Sequence, residues 1–399
     1  MTAKTIFKSV FPKSFYNFCR KVLVRILSAF IKTDYKMILF ISYDGKKYDD
    51  SPRVIYEKIL GDERFFKEYK FIWGFINPRQ FEIAGSANTL KIKTGTLKYY
   101  YYALKAKCCI TNANNGIWDY KKKTSFCFNT WHGAPIKKIG AEPENKEYAQ
   151  QIIAPDILCA QGEYDADILS RIFGIDRAKI LISGLPRNDA LANCNDNCNK
   201  NIRLNILNKL SLPKDKKIIL YCPTFRDYDM QDNNGGYSIC PPVNFKEWKN
   251  KIGKDYIILF RAHYYIMKIL NIEFNDFIYD FSDYGSLNDL MIISDLLISD
   301  YSSIYFDYSV MGKPMLCFAY DYGKYMQNRG LYIDIKKELP CEIACKENAL
   351  LSQILNLDYE KMSHAAVKFR EKYVGEFGNA ANICVDKIWE SIRYEGKSS

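Results

Sequence analysis

Histidine is scarce: the 399 residues hold only His132, His263 and His364. There is no GxxxxGK[ST] segment, and no GxGxxG follows the first apolar run, so neither a Walker-type phosphate loop nor a dinucleotide fingerprint is present. No stretch reaches the roughly 20 apolar residues that a membrane-spanning helix needs. The most apolar N-terminal run, VLVRILSAFI, is broken by Arg25 and lacks the small-residue cleavage site of a secretion signal. Thirteen cysteines occur without a framework: their number is odd, and the close pairs Cys194/Cys198 and Cys341/Cys345 have no histidine beside them. They read as reduced thiols of a cytosolic protein. Two acidic three-residue matches, DYD (227–229) and DAD (165–167), imitate a metal-binding pair, but DAD falls in a helical pattern and neither belongs to a carboxylate cage. No metal ligands and no cofactor are therefore assigned, and metal dependence stays open.

What is present is a chain that is 48% apolar, long enough for two to three domains at about 100–200 residues each. Its net charge is +11, of which residues 1–36 carry +7: eight Lys/Arg against the single acid Asp34. The basic character belongs to the N-terminus, which favours an anionic surface met there over a nucleic-acid groove across the body. Read as a helix, residues 14–32 put Asn17, Lys21, Arg25, Ser28 and Lys32 on one narrow arc. Phe15, Phe18, Val22, Leu23, Ile26, Leu27, Phe30 and Ile31 cover most of the rest. That pattern fits a helix lying in a membrane surface, and it also fits a helix packed on the protein's own body.

From residue 37 short apolar runs alternate with helical patterns. MILFISY (37–43), KFIWGFI (70–76), KCCITN (107–112), ILCAQ (157–161) and KILISG (179–184) read as strands; SPRVIYEKIL (51–60) reads as a helix with Ser51 at its N-cap and Pro52 at N1. TLKYYYYALKA (96–106) reads as another helix. After the asparagine-rich NCNDNCNKN the alternation restarts with KKIILYCPT, YIILFRAH, DLLISDYSS and KPMLCFAYD. The expected architecture is α/β, two doubly wound Rossmann-like domains facing each other. The expected division is a basic amphipathic helix (1–36), a first Rossmann-like domain (37–192), a linker (193–212), a second Rossmann-like domain (213–375) and a C-terminal helix (376–399) packing back on the first domain.

Ligands in such sheets bind beyond the carboxyl ends of strands, which draws attention to His132, Arg226, His263 and Ser302. In DLLISDYSSIYFDYSVMGKP the strand ends at Ser299 and a helix is expected from the Ser302/Ser303 turn to Gly312. Its N–H groups and hydroxyls suit a pyrophosphate, and they equally suit ordinary N-capping. Arg261 and His263 are two apart at a strand end and so share a side. His132 in TWHGAP, flanked by Gly133 and Pro135, is able to take a proton from a hydroxyl, being neutral near pH 7; the residues alone leave it equally a loop histidine. His364 lies in a helical pattern without companions and reads as structural or exposed.

Six segments then occur in one order: NTWHGAPIKKIG, SGLPRNDAL, LYCPTFRD, FRAH, DLLISDYSSIYFDYSVMGKP and NRGLYID, with YDGKKYDDSPRVIYEKIL before them and EFGNAA after. Together they resemble the CDP-glycerol glycerophosphotransferases, the primases and polymerases of teichoic-acid-like polymers, over about residues 38–385. The resemblance implies a GT-B fold and transfer of a polyol phosphate from a CDP-activated donor, CDP-glycerol or a related CDP-polyol, to a hydroxyl of a lipid-linked or polymeric acceptor, releasing CMP. It implies a peripheral protein at the cytoplasmic membrane face. His132 falls on the family's expected base, with His263 and Arg261 as the RxH pair at the leaving group. Gly133, Arg187, Thr224, Arg226, Asp227, Ser302, Ser303 and Asp307 fall on donor-binding positions, and Lys137 and Lys138 are candidates to meet the acceptor. One departure is ELPCE (338–342), where Cys341 replaces the usual glycine. Two alternatives remain at this point: a GT-B glycosyltransferase using a nucleotide sugar, and a non-enzymatic membrane- or nucleic-acid-binding protein using the basic arm.

Overall fold

The computed structural model describes residues 13–65, 68–85, 87–113, 121–144, 146, 153–192, 198–224, 226, 242–262 and 272–394. Residues 37–41, MILFI, are buried without interruption, as a strand covered on both faces requires. This is β1 (Asp34–Ile41). It is an interior strand, third from one edge, of a seven-stranded parallel sheet completed by β2 (Lys70–Phe75), β3 (Thr89–Lys93), β4 (Ala106–Thr111), β5 (Phe126–Asn129), β6 (Ile157–Ala160) and β7 (Ile180–Ile182). The strand order is 3-2-1-4-5-6-7. A second parallel sheet has β8 (Lys217–Tyr221), β9 (Tyr256–Phe260), β10 (Ile278–Asp280), β11 (Leu296–Ser299), β12 (Met315–Phe318) and β13 (Ile343–Ala344), in the order 10-9-8-11-12-13. In both sheets the order reverses beside the first strand, at β1/β4 and β8/β11. A crevice opens at such a switch point because the connections on either side leave in opposite directions.

The chain crosses between the two domains twice. The C-terminal helix Ala380–Tyr394 returns to the first sheet, burying Cys384, Val385, Ile388 and Ile392 beside Ile55, Tyr56 and Ile59 of the helix Asp50–Leu60. Full burial of each aliphatic side chain is worth about 1.5–3 kcal/mol, enough to hold this helix in place. Its first turn is capped from a distance: Asp189 accepts from Ala380 N (2.9 Å) and Ala381 N (2.8 Å). The crossing segment 374–377 needs bare backbone beneath it. A Cβ on Gly162 would lie 2.8 Å from Tyr373 O, and one on Gly184 would strike Glu376 O.

Several local expectations are revised. Residues 198–209 form a helix, and Ile206, Leu207 and Leu212 join the second core, so the 193–212 linker is not a linker along most of its length. The helix after β1 begins at Asp50 with Asp49 as its N-cap, and Ser51 is buried inside it. β3, β5, β10 and β13 are strands the apolar runs did not mark: β3 is an edge strand with alternating lysines, and the others have four, three and two residues. The helix after the serine turn is short, Ile304–Ser309, with a turn closing at Gly312.

The N-terminal helix spans Lys13–Phe30. Val24 is buried and lines a small cavity with Leu39, Tyr100 and Leu104, so one edge of the helix packs on the body. Val22, Leu23, Ile26 and Phe30 are exposed, Phe30 by 80%.

Candidate active site

The first wall of the crevice is built from the ends of β1, β4 and β5. Of five non-glycine residues with positive φ among the described residues, four lie here: Tyr43 (45°), Asp44 (57°), Asp50 (65°) and Trp131 (53°). Such backbone costs on the order of 1–3 kcal/mol per residue and persists only where neighbours hold it. They do: Tyr43 N donates to Asn112 Oδ1 (2.8 Å), Tyr43 Oη to Asp50 Oδ2 (2.5 Å), and Trp131 N to Asn129 Oδ1 (2.8 Å).

His132 follows Trp131, and its Nδ1 is 2.6 Å from the backbone oxygen of Asn112. A carbonyl only accepts, so Nδ1 carries the proton and Nε2 carries the lone pair. Burial pushes the His132 pKa down, against the opposing pull of the Asn112 bond and the Asp50 charge, so it ends below the usual histidine value. The ring is therefore neutral at pH 7. It lies between Trp131 (ring centroids 4.1 Å apart) and Tyr43 (6.2 Å).

The second wall meets this loop directly. Gly133 has φ +142°, and a Cβ there would be 2.8 Å from Ser303 Oγ and 3.5 Å from Arg187 Nη2. Only glycine lets the histidine loop come this close to the serine turn after β11. Ser302 Oγ accepts from Ile304 N (3.2 Å), while Ser303, at the N-cap, makes no side-chain cap bond. The next residues lock the two domains in register: Lys137 bridges Leu331 in antiparallel fashion, Lys138 N donates to Gly330 O (3.1 Å), and Tyr332 N to Ile136 O (2.9 Å). This backbone pairing accounts for the NRGLYID segment.

Beneath the contact, Arg187 joins both domains. Its Nη1 donates to Asp50 (2.6 Å) and its Nη2 to Asp307 (2.7 Å), and Asn188 Nδ2 also donates to Asp307 (2.7 Å). Both carboxylates are buried. Burial alone would raise the Asp50 pKa, but Arg187, the Tyr43 hydroxyl and Ser51 N bring it below the ordinary range. For Asp307 burial prevails and the pKa is raised, since one arginine serves two acids.

The donor-site expectations divide. Arg226 is 1% exposed, and protein acceptors engage its guanidinium throughout: Nε and Nη2 on Asp321 (2.7 and 2.9 Å), Nη2 on Asp300 (2.9 Å), Nη1 on Thr224 O and Oγ1 (2.8 and 2.7 Å). It is a strut fixing the loops after β8, β11 and β12, and no N–H is left for a phosphate. Arg187 and Asp307 are likewise an interdomain clamp, committed to each other. Thr224 N is held by Asp300 Oδ1 (2.9 Å). Arg261 is anchored through Nη1 to Phe281 O (3.1 Å) and Tyr284 O (2.6 Å). Lys47 approaches it from the first wall: burial, and then the Arg261 charge, lower the lysine's pKa. Two cations converging across a crevice suit an anionic ligand. Lys138 pairs with Glu144 and so does not stand open to an acceptor; Lys137 is half-buried near His132, whose pKa its charge lowers. His263 and Asp227 lie outside the described residues, as does DYD. Asp165 of DAD caps its own helix, accepting from Gln161 N and Gly162 N (both 2.8 Å). His364 is exposed, bonded to Glu360 O on its own helix. No cluster of three metal-ligating side chains occurs among the described residues. Tyr43, Lys47, Asp50 and Asn112 belong to the site without having been singled out; the strongest signal for the first three was the crowded polar run YDGKKYDD close after a buried strand, and Asn112 had only its place after the strand KCCIT.

The chain is 34% identical over 376 residues to a teichoic acid poly(glycerol phosphate) polymerase of Staphylococcus epidermidis, covering 90% of this chain and 51% of that one, so it spans about half that relative's length. It is 33% identical to a teichoic acid glycerol-phosphate transferase of Staphylococcus aureus, covering 81% of this chain and 84% of the other. The solved wall teichoic acid polymerase TagF superposes with a TM-score of 0.82 at 28% identity, covering 99% of both chains. A histidine variant of TagF soaked with CDPG superposes at 0.81, with 28% identity, over 97% of this chain and 100% of that one. Residues 23–390 match the family model of the CDP-glycerol:poly(glycerophosphate) glycerophosphotransferases, and the chain belongs to that family.

Proposed function

We propose that this protein transfers glycerol phosphate from CDP-glycerol to a hydroxyl of a teichoic-acid-type acceptor, releasing CMP. The observation that carries this reading is a neutral imidazole, its Nε2 lone pair free of the tautomeric proton, held by Gly133 against the serine turn of the opposite domain. The acceptor oxygen attacks the phosphorus that bears glycerol. His132 Nε2 takes its proton, the bond between that phosphorus and the CMP oxygen breaks, and CMP leaves with the electron pair. Phosphoryl transfer depends mainly on positioning and charge stabilisation, so no covalent protein nucleophile is required. Arg261 and Lys47, with the Ser302/Ser303 turn, receive the charge on the pyrophosphate, and His263 is assigned to the leaving group.

The direct test is mass spectrometry of products from a panel of CDP-glycerol, other CDP-polyols and nucleotide sugars with a lipid-linked oligo(glycerol phosphate) primer. Primer extended by glycerol phosphate is expected. Extension only by a sugar would replace this reading with a glycosyltransferase.

We further propose peripheral attachment at the cytoplasmic membrane face. Val22, Leu23, Ile26 and Phe30 supply exposed apolar surface beside exposed Lys21, Arg25 and Lys32, and each cation near an anionic bilayer contributes about 1 kcal/mol. Since Val24 is part of the body's own packing, deletion of the helix would confound the test. Leu23→Asp with Ile26→Asp leaves Val24 in place. That double variant is expected to lose most of its flotation with phosphatidylglycerol vesicles; undiminished flotation would rule the helix out as the contact.

A further inference from the structure

Asn112 directly follows β4, at the β1/β4 switch point, and is fully buried. Its backbone oxygen orients His132. Its side-chain Oδ1 accepts from Tyr43 N, which fixes the orientation of the amide: an N–H must face an oxygen, so Nδ2 is turned to the other side. There Nδ2 has neither solvent nor, among the described residues, a hydrogen-bond partner. Nearly all buried polar groups are paired, because an unpaired donor has given up water and received nothing in return. This one belongs to the same residue that holds the base. A buried N–H away from water forms a stronger bond to an anionic oxygen than it would at the surface.

We infer that Asn112 is a substrate-contacting residue whose Nδ2 donates to a phosphate oxygen, either of the donor's glycerol-bearing phosphate or of the acceptor's terminal phosphodiester. The inference rests on the proposed glycerophosphotransfer. Asn112 then has three tasks at one position: its carbonyl sets the tautomer of His132, its Oδ1 fixes the strained turn at Tyr43, and its Nδ2 aligns the phosphate with the base.

Two substitutions separate these tasks. Asn112→Asp keeps an oxygen for Tyr43 N but removes the donor and adds a charge. Asn112→Ala removes both the donor and the Oδ1 anchor of Tyr43 without adding charge. Loss of one hydrogen bond to a charged group corresponds to about 10- to 100-fold in kcat/KM, and both variants are expected to show it. A residue that merely anchored Tyr43 would leave the aspartate variant near wild type, and a purely electrostatic effect would leave the alanine variant there; either result overturns the inference. Melting temperatures identify a variant that fails to fold, and the other then decides. Calorimetry with CDP-glycerol distinguishes the sources: weakened binding assigns the oxygen to the donor, and unchanged binding with a raised KM for the oligo(glycerol phosphate) primer assigns it to the acceptor. Wild-type protein inactive on CDP-glycerol would instead defeat the proposed function. An active wild type with either variant within about twofold of it would defeat only the role of Asn112.

Discussion

His132→Ala is expected to lower kcat by about 10²-fold or more while leaving CDP-glycerol affinity and the melting temperature close to wild type. The reason is the division of labour across the crevice. The ring is held by one bond to the Asn112 carbonyl and by contact with Trp131 and Tyr43, so removing it opens little core. Donor binding is assigned to the opposite wall and to Lys47. What disappears is the proton acceptor, which acts only as the acceptor hydroxyl attacks. The same assignment sets a pH dependence. His132 works as the neutral form, so kcat/KM should rise with pH through the histidine's pKa and be flat above it. Because burial moves that pKa down from its ordinary value of about 6.5, the rise should be centred on the acidic side of neutrality. A pH profile rising only above pH 7, or an alanine variant with near-normal turnover at saturating CDP-glycerol, would contradict the role.

The second large effect concerns the clamp. Arg187→Ala leaves Asp50 and Asp307 buried without their shared cation. Removing one partner of a buried ion pair typically costs about 3–5 kcal/mol, because the remaining charge stays in a medium that solvates it poorly. The expected results are an unfolding midpoint in urea displaced to lower concentration and activity that is almost abolished, since Arg187 Nη2 lies directly behind the contact of Gly133 with Ser303. Arg187→Lys should not restore either property, as one ammonium does not span two carboxylates on different domains. Adding Asp307→Asn to Arg187→Ala should recover part of the stability by removing an orphan charge, and only little activity. An unchanged midpoint in the alanine variant would show that the clamp does not hold the domains together.

Much of this site was legible from local sequence. Gly133 and Pro135 marked a loop shaped for close approach, and the strand-ending position of Ser302 followed from the apolar run before it. Arg226 shows where such reading stops. Its place after β8 resembles that of a phosphate ligand, yet Asp300 and Asp321, 74 and 95 residues further on, occupy its guanidinium. Asn112 and Asp50 failed to stand out for the converse reason: an asparagine after a strand and an aspartate before a helix are common, and their importance comes from bonds to Tyr43, His132 and Arg187. The polar run from residue 193 looked like a linker by composition, but a helix from 198 joins the second core through Ile206 and Leu207.

By itself the sequence determined two parallel α/β units, a concentration of positive charge at the N-terminus, one histidine loop, and one serine turn closing a strand. Those properties are periodic or local, and burial of apolar runs follows from neighbours a few residues away. Only the tertiary structure decided which charged side chains are spent within the protein, as Arg187 and Arg226 are, and which face the crevice. A cation's availability depends on whether acceptors distant in sequence have folded onto its N–H groups, and no local pattern encodes that meeting.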